Sequence, residues 1–213
     1  GHMELFEAIH TARAIRRFRP DPVADELILQ IVEAGTMAPS ATNAQPWAFV
    51  VVRDPETKRF VQERYAKTFH AAYAQAKGLI DRAASGDPSR LLAAATWLAD
   101  HLHEVPVLLF CCVERYGAQR PGREREPRND SIFPAVQNIL LACRGLGLGA
   151  CLTTLHTVHE REIHERLGVP DAYASPAMIP IGYPLDRHGP IRRRPAREVT
   201  YRERWGQELP PSK

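Results

Sequence analysis

The sequence has little lysine, few cysteines and no long apolar run. Only four of its 28 basic residues are lysine, so arginine is common everywhere and no single arginine cluster is persuasive by itself. No stretch approaches the roughly 20 apolar residues of a membrane-spanning helix. The first residues, G-H-M-E-L-F-E, carry acids where a secretion signal has an apolar core. These absences predict a cytoplasmic protein without a membrane partner.

The four cysteines are Cys111, Cys112, Cys143 and Cys151, and no pair has the C-x-x-C spacing. All four lie in apolar stretches, and the adjacent Cys111 and Cys112 would face opposite sides of a strand. We therefore expect buried free thiols in a reducing compartment, with neither disulfides nor a metal site.

Two familiar motifs are imitated without being matched. H-E-R-E-I-H, residues 159–164, has one residue too many between its histidines for the zinc motif H-E-x-x-H. In R-G-L-G-L-G-A, residues 144–150, the glycines end a predicted helix, whereas those of a dinucleotide-binding loop open one. They therefore indicate helix capping and close packing.

The net charge of +3 is too small to favour nucleic-acid binding. Neither Ser40 nor Cys151 has the surroundings of a catalytic nucleophile.

Apolar periodicity predicts an α+β or α/β protein with helices on both faces of a sheet. There is no repeat and no internal linker, so residues 1–213 are expected to form one domain, with Gly1-His2-Met3 interpreted as a cloning scar. The charged stretch Arg115–Arg128 has the length of either a lid or a disordered loop. Buried strands are predicted at residues 47–52 and 105–113. G-L-G-A-C-L-T-T, residues 147–154, leads into a third predicted strand, and a fourth is predicted at residues 177–183. Helices are predicted at residues 4–13, 55–80, 89–103, 131–146 and 157–167. A further helix is predicted to begin after an N-cap at Asp25.

Three further segments follow one another at suggestive spacing. R-A-I-R-R-F, residues 13–18, follows the first helix; P-S-A-T-N-A-Q-P-W, residues 39–47, precedes a strand; and G-L-G-L-G-A-C-L-T-T, residues 145–154, follows a helix. A basic I-R-R-R comes later, at residues 191–194. In this order they resemble the nitroreductase family of flavin mononucleotide (FMN) enzymes, whose motifs are R-R-S-I-R-x-F and P-S-x-x-N-x-Q-P-W. The resemblance extends from about Phe6 to Trp205.

The resemblance implies an α+β, nitroreductase-like fold with a mostly antiparallel central sheet flanked by helices, in an intertwined homodimer. It implies an FMN-dependent oxidoreductase that passes hydride from NAD(P)H through flavin N5 to electron-poor acceptors, such as nitroaromatics or quinones, by a ping-pong mechanism. No side chain is predicted to be catalytic, because the cofactor carries the chemistry. Two alternatives stay open. One is a specialised member with a deazaflavin donor, a dehalogenation or a flavin fragmentation, and the other is a non-enzymatic flavin-binding or storage protein.

The same resemblance implies which residues bind the cofactor. Arginine forks suit the phosphate, and amide side chains suit the edge of the flavin ring. Ala12 and Ala14 stand where the family often has arginine and serine. The phosphate side comprises Arg13, Ala14, Arg16, Arg17, Arg192 and Arg194. The loop that meets the ring and ribityl chain, usually from the other subunit, comprises Pro39, Ser40, Ala41, Asn43 and Gln45. The segment near N5 comprises Thr153, Thr154 and Leu155.

Overall fold

The computed structural model describes residues 2–83, 88–117 and 125–211. Within these residues lie six α-helices, four β-strands and several short 3₁₀ turns. The helices are α1 (Leu5–Thr11), α2 (Asp25–Thr36), α3 (Pro55–Ala83), α4 (Pro88–His101), α5 (Asn129–Gly145) and α6 (Glu160–Leu167). The strands are β1 (Trp47–Val52), β2 (Val107–Glu114), β3 (Gly149–Ala150) and β4 (Tyr173–Gly182). The 3₁₀ turns are Ala41–Asn43, Leu102–Glu104, Leu155–His159 and Ala196–Val199.

The strands form one sheet in the order β1-β2-β4-β3, and each neighbouring pair is antiparallel. Phe49 lies opposite Cys111, Cys111 lies opposite Ala177, and Gly149 lies opposite Gly182. The predicted antiparallel sheet is therefore confirmed.

Both faces of the central strands are covered by helices. Along β2, Leu109 and Cys111 pack into the core that α2 and α5 close, while Leu108 and Phe110 pack into the core that contains residues of α3 and α4. This alternation follows from the two-residue period of a strand, which sends neighbouring side chains to opposite faces. The predicted α+β class with helices on both faces is confirmed.

Three local predictions need correction. The apolar run of β1 suggested a buried strand, but β1 is an edge strand and Val51 is 41% exposed. The third strand has only two residues, Gly149 and Ala150. Asp25 does not cap α2, because Ala24 holds the cap position and the Asp25 carboxylate accepts a hydrogen bond from Arg53 at 2.8 Å.

The four cysteines are free and buried, as predicted. Cys111 and Cys112 pack into the two different cores, on opposite faces of the sheet. Burial raises the pKa of the Cys112 and Cys143 thiols to about 12, so neither is a reactive thiolate near neutral pH.

The charged stretch after β2 begins and ends in paired backbone. The Tyr116 N–H donates to the Glu126 carbonyl at 2.9 Å, and the Arg128 N–H donates to the Glu114 carbonyl at 3.3 Å. The lid or disordered loop is predicted at Arg115–Arg128, and its middle part, residues 118–124, lies outside the described residues. None of the described helices is both long enough and apolar enough to cross a membrane.

Candidate functional site

The segment Arg13–Phe18 is fastened to the end of the sheet. Ile15 and Phe18 are buried, and the Ile15 N–H donates to the Ala150 carbonyl at 3.0 Å. Gly149 makes this approach possible, since a Cβ atom there would lie 2.7 Å from Ile15 Cγ2. Of the glycine run, Gly149 thus serves close packing, as the sequence indicated, and the buried residues fix where the intervening arginines emerge.

A cavity of about 170 Å³ opens beside this segment, and we call it the basic cavity. Its lining comprises Ala12, Arg13, Ala14, Arg16, Gln137, Leu140, Ala150, Cys151, Leu152 and His188. Three predicted site residues are in this lining: Arg13, Ala14 and Arg16. Sequence reasoning missed Gln137 and His188, although the polar Gln137 lies within the apolar middle of α5, beside Asn138, and could have signalled a lining position.

The arginines of this segment differ in whether a carboxylate neutralises them. The Arg17 guanidinium forms an ion pair with Asp186 at 3.4 Å, and that of Arg19 forms one with Asp21 at 3.0 Å. Arg13 forms no ion pair with any residue that the structure describes. Arg17, predicted to hold the phosphate, is absent from the cavity lining, because its side chain is directed to Asp186.

Arg16 lies deeper than Arg13 and contacts the Cys151 thiol. Burial raises the pKa of Cys151, and the adjacent Arg16 guanidinium, through its charge and a hydrogen bond, partly offsets the rise. Arg16 is thus half-buried with a thiol as its neighbour, and no described residue forms an ion pair with it. A positive charge in this position favours an anion or a polarised oxygen from outside the chain.

The chain between β4 and the C-terminal arginines returns to the basic cavity. His188 lines it, and the Ile191 N–H donates to the His10 carbonyl at 3.2 Å, in the last turn of α1. Burial, followed by the nearby charges of Arg144 and Arg13, lowers the pKa of His188. Arg192 and Arg194, also predicted site residues, follow directly; both are exposed, and neither lines the cavity.

The loop Pro39–Gln45 is strained and exposed. Thr42, Asn43 and Gln45 all have positive φ angles, of 56°, 54° and 49°, a conformation that costs non-glycine residues energy. The Ser40 hydroxyl holds the turn by accepting the Gln45 N–H at 3.0 Å. No residue of this loop lines the basic cavity of its own chain. The predicted loop residues and the predicted arginines are therefore not brought together within one described chain.

Thr153, Thr154 and Leu155 lie beside β4. Thr153 is buried, and it exchanges two backbone hydrogen bonds of 3.0 Å with Met178. Thr154 is exposed, and its carbonyl accepts the Thr157 N–H and hydroxyl. Leu155 lines a second cavity, of about 310 Å³, which we call the apolar pocket. Arg16 lines both cavities. The apolar pocket is lined by Arg16, Phe69, Ala72, Tyr73, Leu91, Leu92, Ala95 and Leu155.

A buried histidine holds the turn that follows Thr154. His156 is fully buried, and its Nε2 lies 2.7 Å from the Ser175 carbonyl, so Nε2 carries the proton and donates. Its Nδ1 finds no partner among the described residues. Burial lowers the pKa of His156 to about 4, although the hydrogen bond to Ser175 opposes this fall. His156 is therefore neutral at physiological pH and anchors the turn to β4.

Comparison with known proteins identifies the fold and its family. Residues 9–183 match the model of the nitroreductase family, and a protein named NADH dehydrogenase from Thermus thermophilus is 35% identical over 201 residues, which cover 88% of this chain and 90% of that protein. The chain belongs to the nitroreductase family. The resemblance inferred from the three motifs is thereby confirmed.

Other similar proteins have different names. Iodotyrosine deiodinase of Thermotoga neapolitana is 29% identical over 201 residues, covering 93% of this chain and 96% of the deiodinase. The crystal structure of a nitroreductase with bound FMN from Desulfitobacterium hafniense superposes with a TM-score of 0.67 at 21% identity, over 93% of this chain and 97% of that one. The nitroreductase-like fold is therefore established, while the relatives do not share a single reaction.

Proposed function

We propose that this protein binds FMN at the basic cavity and uses it to pass hydride from NAD(P)H to small electron-poor acceptors such as nitroaromatics or quinones. The observation that carries the proposal is Arg13, which lies without an ion pair among the described residues beside a cavity bordered by the family's motif segment. Family membership indicates the class of reaction, and the unpaired charge of Arg13 indicates where FMN would bind.

The donors of the cavity suit a phosphate monoester. FMN ends in a phosphate of nearly two negative charges, and the planar guanidinium matches its oxygens. Arg13 lines the cavity, and Arg192 and Arg194 follow the backbone that is bonded to the end of α1. We assign these three side chains to the phosphate. Ala14, with no hydroxyl or charge of its own, contributes close packing.

The basic cavity is too small for the whole cofactor. Its volume of about 170 Å³ lies below the ~300–1,000 Å³ that is usual for ligand pockets. We propose that a second copy of the chain completes the site with its loop Pro39–Gln45, whose strain is typical of functional segments. Exposed apolar side chains support a homodimer: Phe6 is 64% exposed and Trp205 is 90% exposed. Of the loop, we assign Ser40, Asn43 and Gln45 to the polar edge of the flavin.

When bound, FMN supplies the redox chemistry, in which a nitroaromatic, NAD(P)H and a proton give a nitrosoaromatic, NAD(P)⁺ and water. The role of the protein is to position the cofactor and substrates and to polarise the cofactor. Thr153 fixes the segment through Met178, Leu155 provides an apolar wall, and Arg16 would stabilise negative charge on the reduced cofactor. No described side chain needs to act as an acid or base.

The visible spectrum of the purified protein tests the proposal. We expect flavin absorbance that bleaches when NADH or NADPH is added without oxygen and returns when a quinone is added. Flavin that stays oxidised with both donors would indicate a different donor or a storage protein. A colourless protein that takes up no added FMN would contradict the proposal.

Reductive dehalogenation is the second candidate, because iodotyrosine deiodinases are among the relatives. In that reaction an iodoarene and NADPH give the arene, iodide and NADP⁺, so iodide release is specific to it. Incubation with 3-iodo-L-tyrosine and either donor, followed by iodide measurement, separates the two candidates. Reduction of quinones without iodide release supports the first.

A mixing experiment tests the shared site. Arg13→Gln and Asn43→Ala chains, each impaired alone, should form a heterodimer in which one site has Arg13 from one copy and Asn43 from the other. We expect mixing after mild unfolding to restore FMN to about a quarter of all sites, because random reassociation makes about half of the dimers heterodimers and each heterodimer has one intact site of its two. No recovery in verified heterodimers would contradict a site built from two chains.

A further inference from the structure

The apolar pocket adjoins the basic cavity. Arg16 lines both, and Leu155 belongs to the segment that we assign to the flavin. A molecule in the apolar pocket therefore shares a wall with one in the basic cavity. The site proposed for FMN and this pocket are neighbouring compartments, as electron transfer by direct contact requires.

The size and lining of the apolar pocket favour a small planar molecule. Its volume of about 310 Å³ is at the lower end of ligand pockets and roughly twice the ~150 Å³ apolar cavity known to bind benzene. Phe69 and Tyr73 on α3 have ring planes within 6° of parallel, with centroids 6.3 Å apart. Leu92 and Ala95 on α4 line the same space. Aromatic and aliphatic walls of this kind suit one or two fused rings.

Among the described lining residues of the apolar pocket, charge is of one sign. Arg16 is the charged member of its described lining, and no carboxylate is found among these residues. An ammonium group brought here would lose its water without gaining a counter-charge, whereas a carboxylate, phenolate or nitro group could face Arg16. The pocket is thus matched to neutral and anionic rings.

We propose that the apolar pocket is the acceptor site, and that it selects neutral or anionic aromatics of one or two rings over zwitterionic amino acids. The inference rests on the proposed function and restricts the range of acceptors that it includes. It sets this chain apart from relatives named for iodotyrosine, because the ammonium group of that substrate has no described partner here. Arg16 becomes a residue that determines specificity as well as a cofactor contact.

Two ligands that differ only in the ammonium group test the selectivity. They are 3-iodo-L-tyrosine and 3-(3-iodo-4-hydroxyphenyl)propanoate, which share the iodophenol ring and the carboxylate. Binding to the oxidised, FMN-loaded dimer is measured by flavin fluorescence quenching and by equilibrium dialysis, so no turnover is required. We expect the propanoate to bind at least about tenfold more tightly. Equal binding, or tighter binding of the amino acid, would overturn the selectivity.

A matched pair of variants on α4 tests the location. Ala95→Phe fills the pocket, while Ala93→Phe adds the same ring at an exposed position outside the described lining. Both should retain FMN, and only Ala95→Phe should weaken propanoate binding, by about tenfold or more. If Ala95→Phe keeps its FMN and binds like wild type, the acceptor site lies elsewhere. If wild type itself takes up no FMN, the proposed function fails, and this inference fails with it.

Discussion

Arginines serve opposite purposes in two regions of this molecule. Near α6, the Arg115 guanidinium lies 2.8 Å from the Glu160 carboxylate, and about four-fifths of each side chain is buried. That carboxylate also accepts the Ser175 N–H at 3.1 Å. Beside the basic cavity, Arg13 has no ion pair among the described residues and is exposed. We call the first region, around Arg115 and Glu160, the closed region, because its charges neutralise each other. We call the second, around Arg13, the open region, because its charge can bind an anion from outside the chain.

This contrast indicates how a binding site can be recognised in an arginine-rich chain. Arginine supplies nearly all the basic residues, so the number of arginines in a segment says little. Whether a carboxylate already neutralises each one is informative, because an arginine satisfied within the fold gains less from a ligand. By this criterion we expect Arg13 to bind a ligand and Arg115 to be structural.

The largest expected effect is on the open region. Replacing Arg13 and Arg194 together by glutamine should lower FMN affinity by more than about 100-fold, since each charge-assisted hydrogen bond contributes roughly 1.5–3 kcal/mol. The free energy of unfolding of the FMN-free protein should stay within about 0.5 kcal/mol of wild type. Fluorescence titration with FMN and urea denaturation measure the two quantities.

Arg19→Gln is the matched control, because it removes a charge six residues from Arg13 that Asp21 already neutralises. We expect less than about a threefold change in FMN affinity. A loss as large as that of the double variant would mean that pairing within the fold does not distinguish these arginines.

The closed region should respond in the reverse manner. Arg115→Gln leaves Glu160 without its cation in a mostly buried position, so we expect the free energy of unfolding to fall by about 2 kcal/mol. FMN affinity should be unchanged. Urea denaturation at neutral pH checks the first value, and unaltered stability would show that the pair is not structural.

Acid should also weaken the closed region through His156. Its pKa is about 4 in the folded protein, below the ordinary value of 6.5, so the unfolded chain binds the proton more tightly. Stability is therefore complete above about pH 6.5 and falls as pH drops toward 4, with about 2 kcal/mol lost between pH 7 and pH 5.

The His156→Phe variant tests this contribution, because phenylalanine keeps a ring against Phe110 but does not titrate. Urea denaturation at the two pH values should show a pH-dependent loss that is smaller than that of wild type by about 2 kcal/mol. An identical pH dependence in the variant would assign the effect to other groups.

The smallest effect is expected at the surface. Arg161 and Glu165 on α6 approach within 3.8 Å, but both are largely exposed. Arg161→Gln should change the free energy of unfolding by less than about 0.5 kcal/mol and leave FMN binding unaltered. A larger change would show that exposure is a poor guide to which ion pairs matter here.

Sequence reasoning predicted the elements and the class of the fold because periodicity is a local property. The helices around Ile31 and Ile139 and the strand through Phe110 follow directly from their apolar spacing. It misjudged β1 because the burial of a strand depends on its place in the sheet, and an edge position cannot be deduced from an apolar run such as Trp47–Val52.

The candidate site was predictable to the extent that it follows from short motifs. The spacing of Arg13 and Arg16 placed both near one cavity, but Arg17 has the same local context and is directed to Asp186, far along the chain. His188 could not be found because its approach depends on the return of the chain after β4. Pairing and proximity of this kind are properties of the tertiary structure alone.

A comparison of FMN with riboflavin, which lacks only the phosphate, tests directly whether the arginines beside the basic cavity bind a phosphate. If the open arginines hold that phosphate, FMN should bind wild-type protein at least about 100-fold more tightly than riboflavin. The preference should nearly vanish when Arg13 and Arg194 are both replaced by glutamine. Equal affinity of wild type for the two flavins, or a preference that survives the double replacement, would contradict the account.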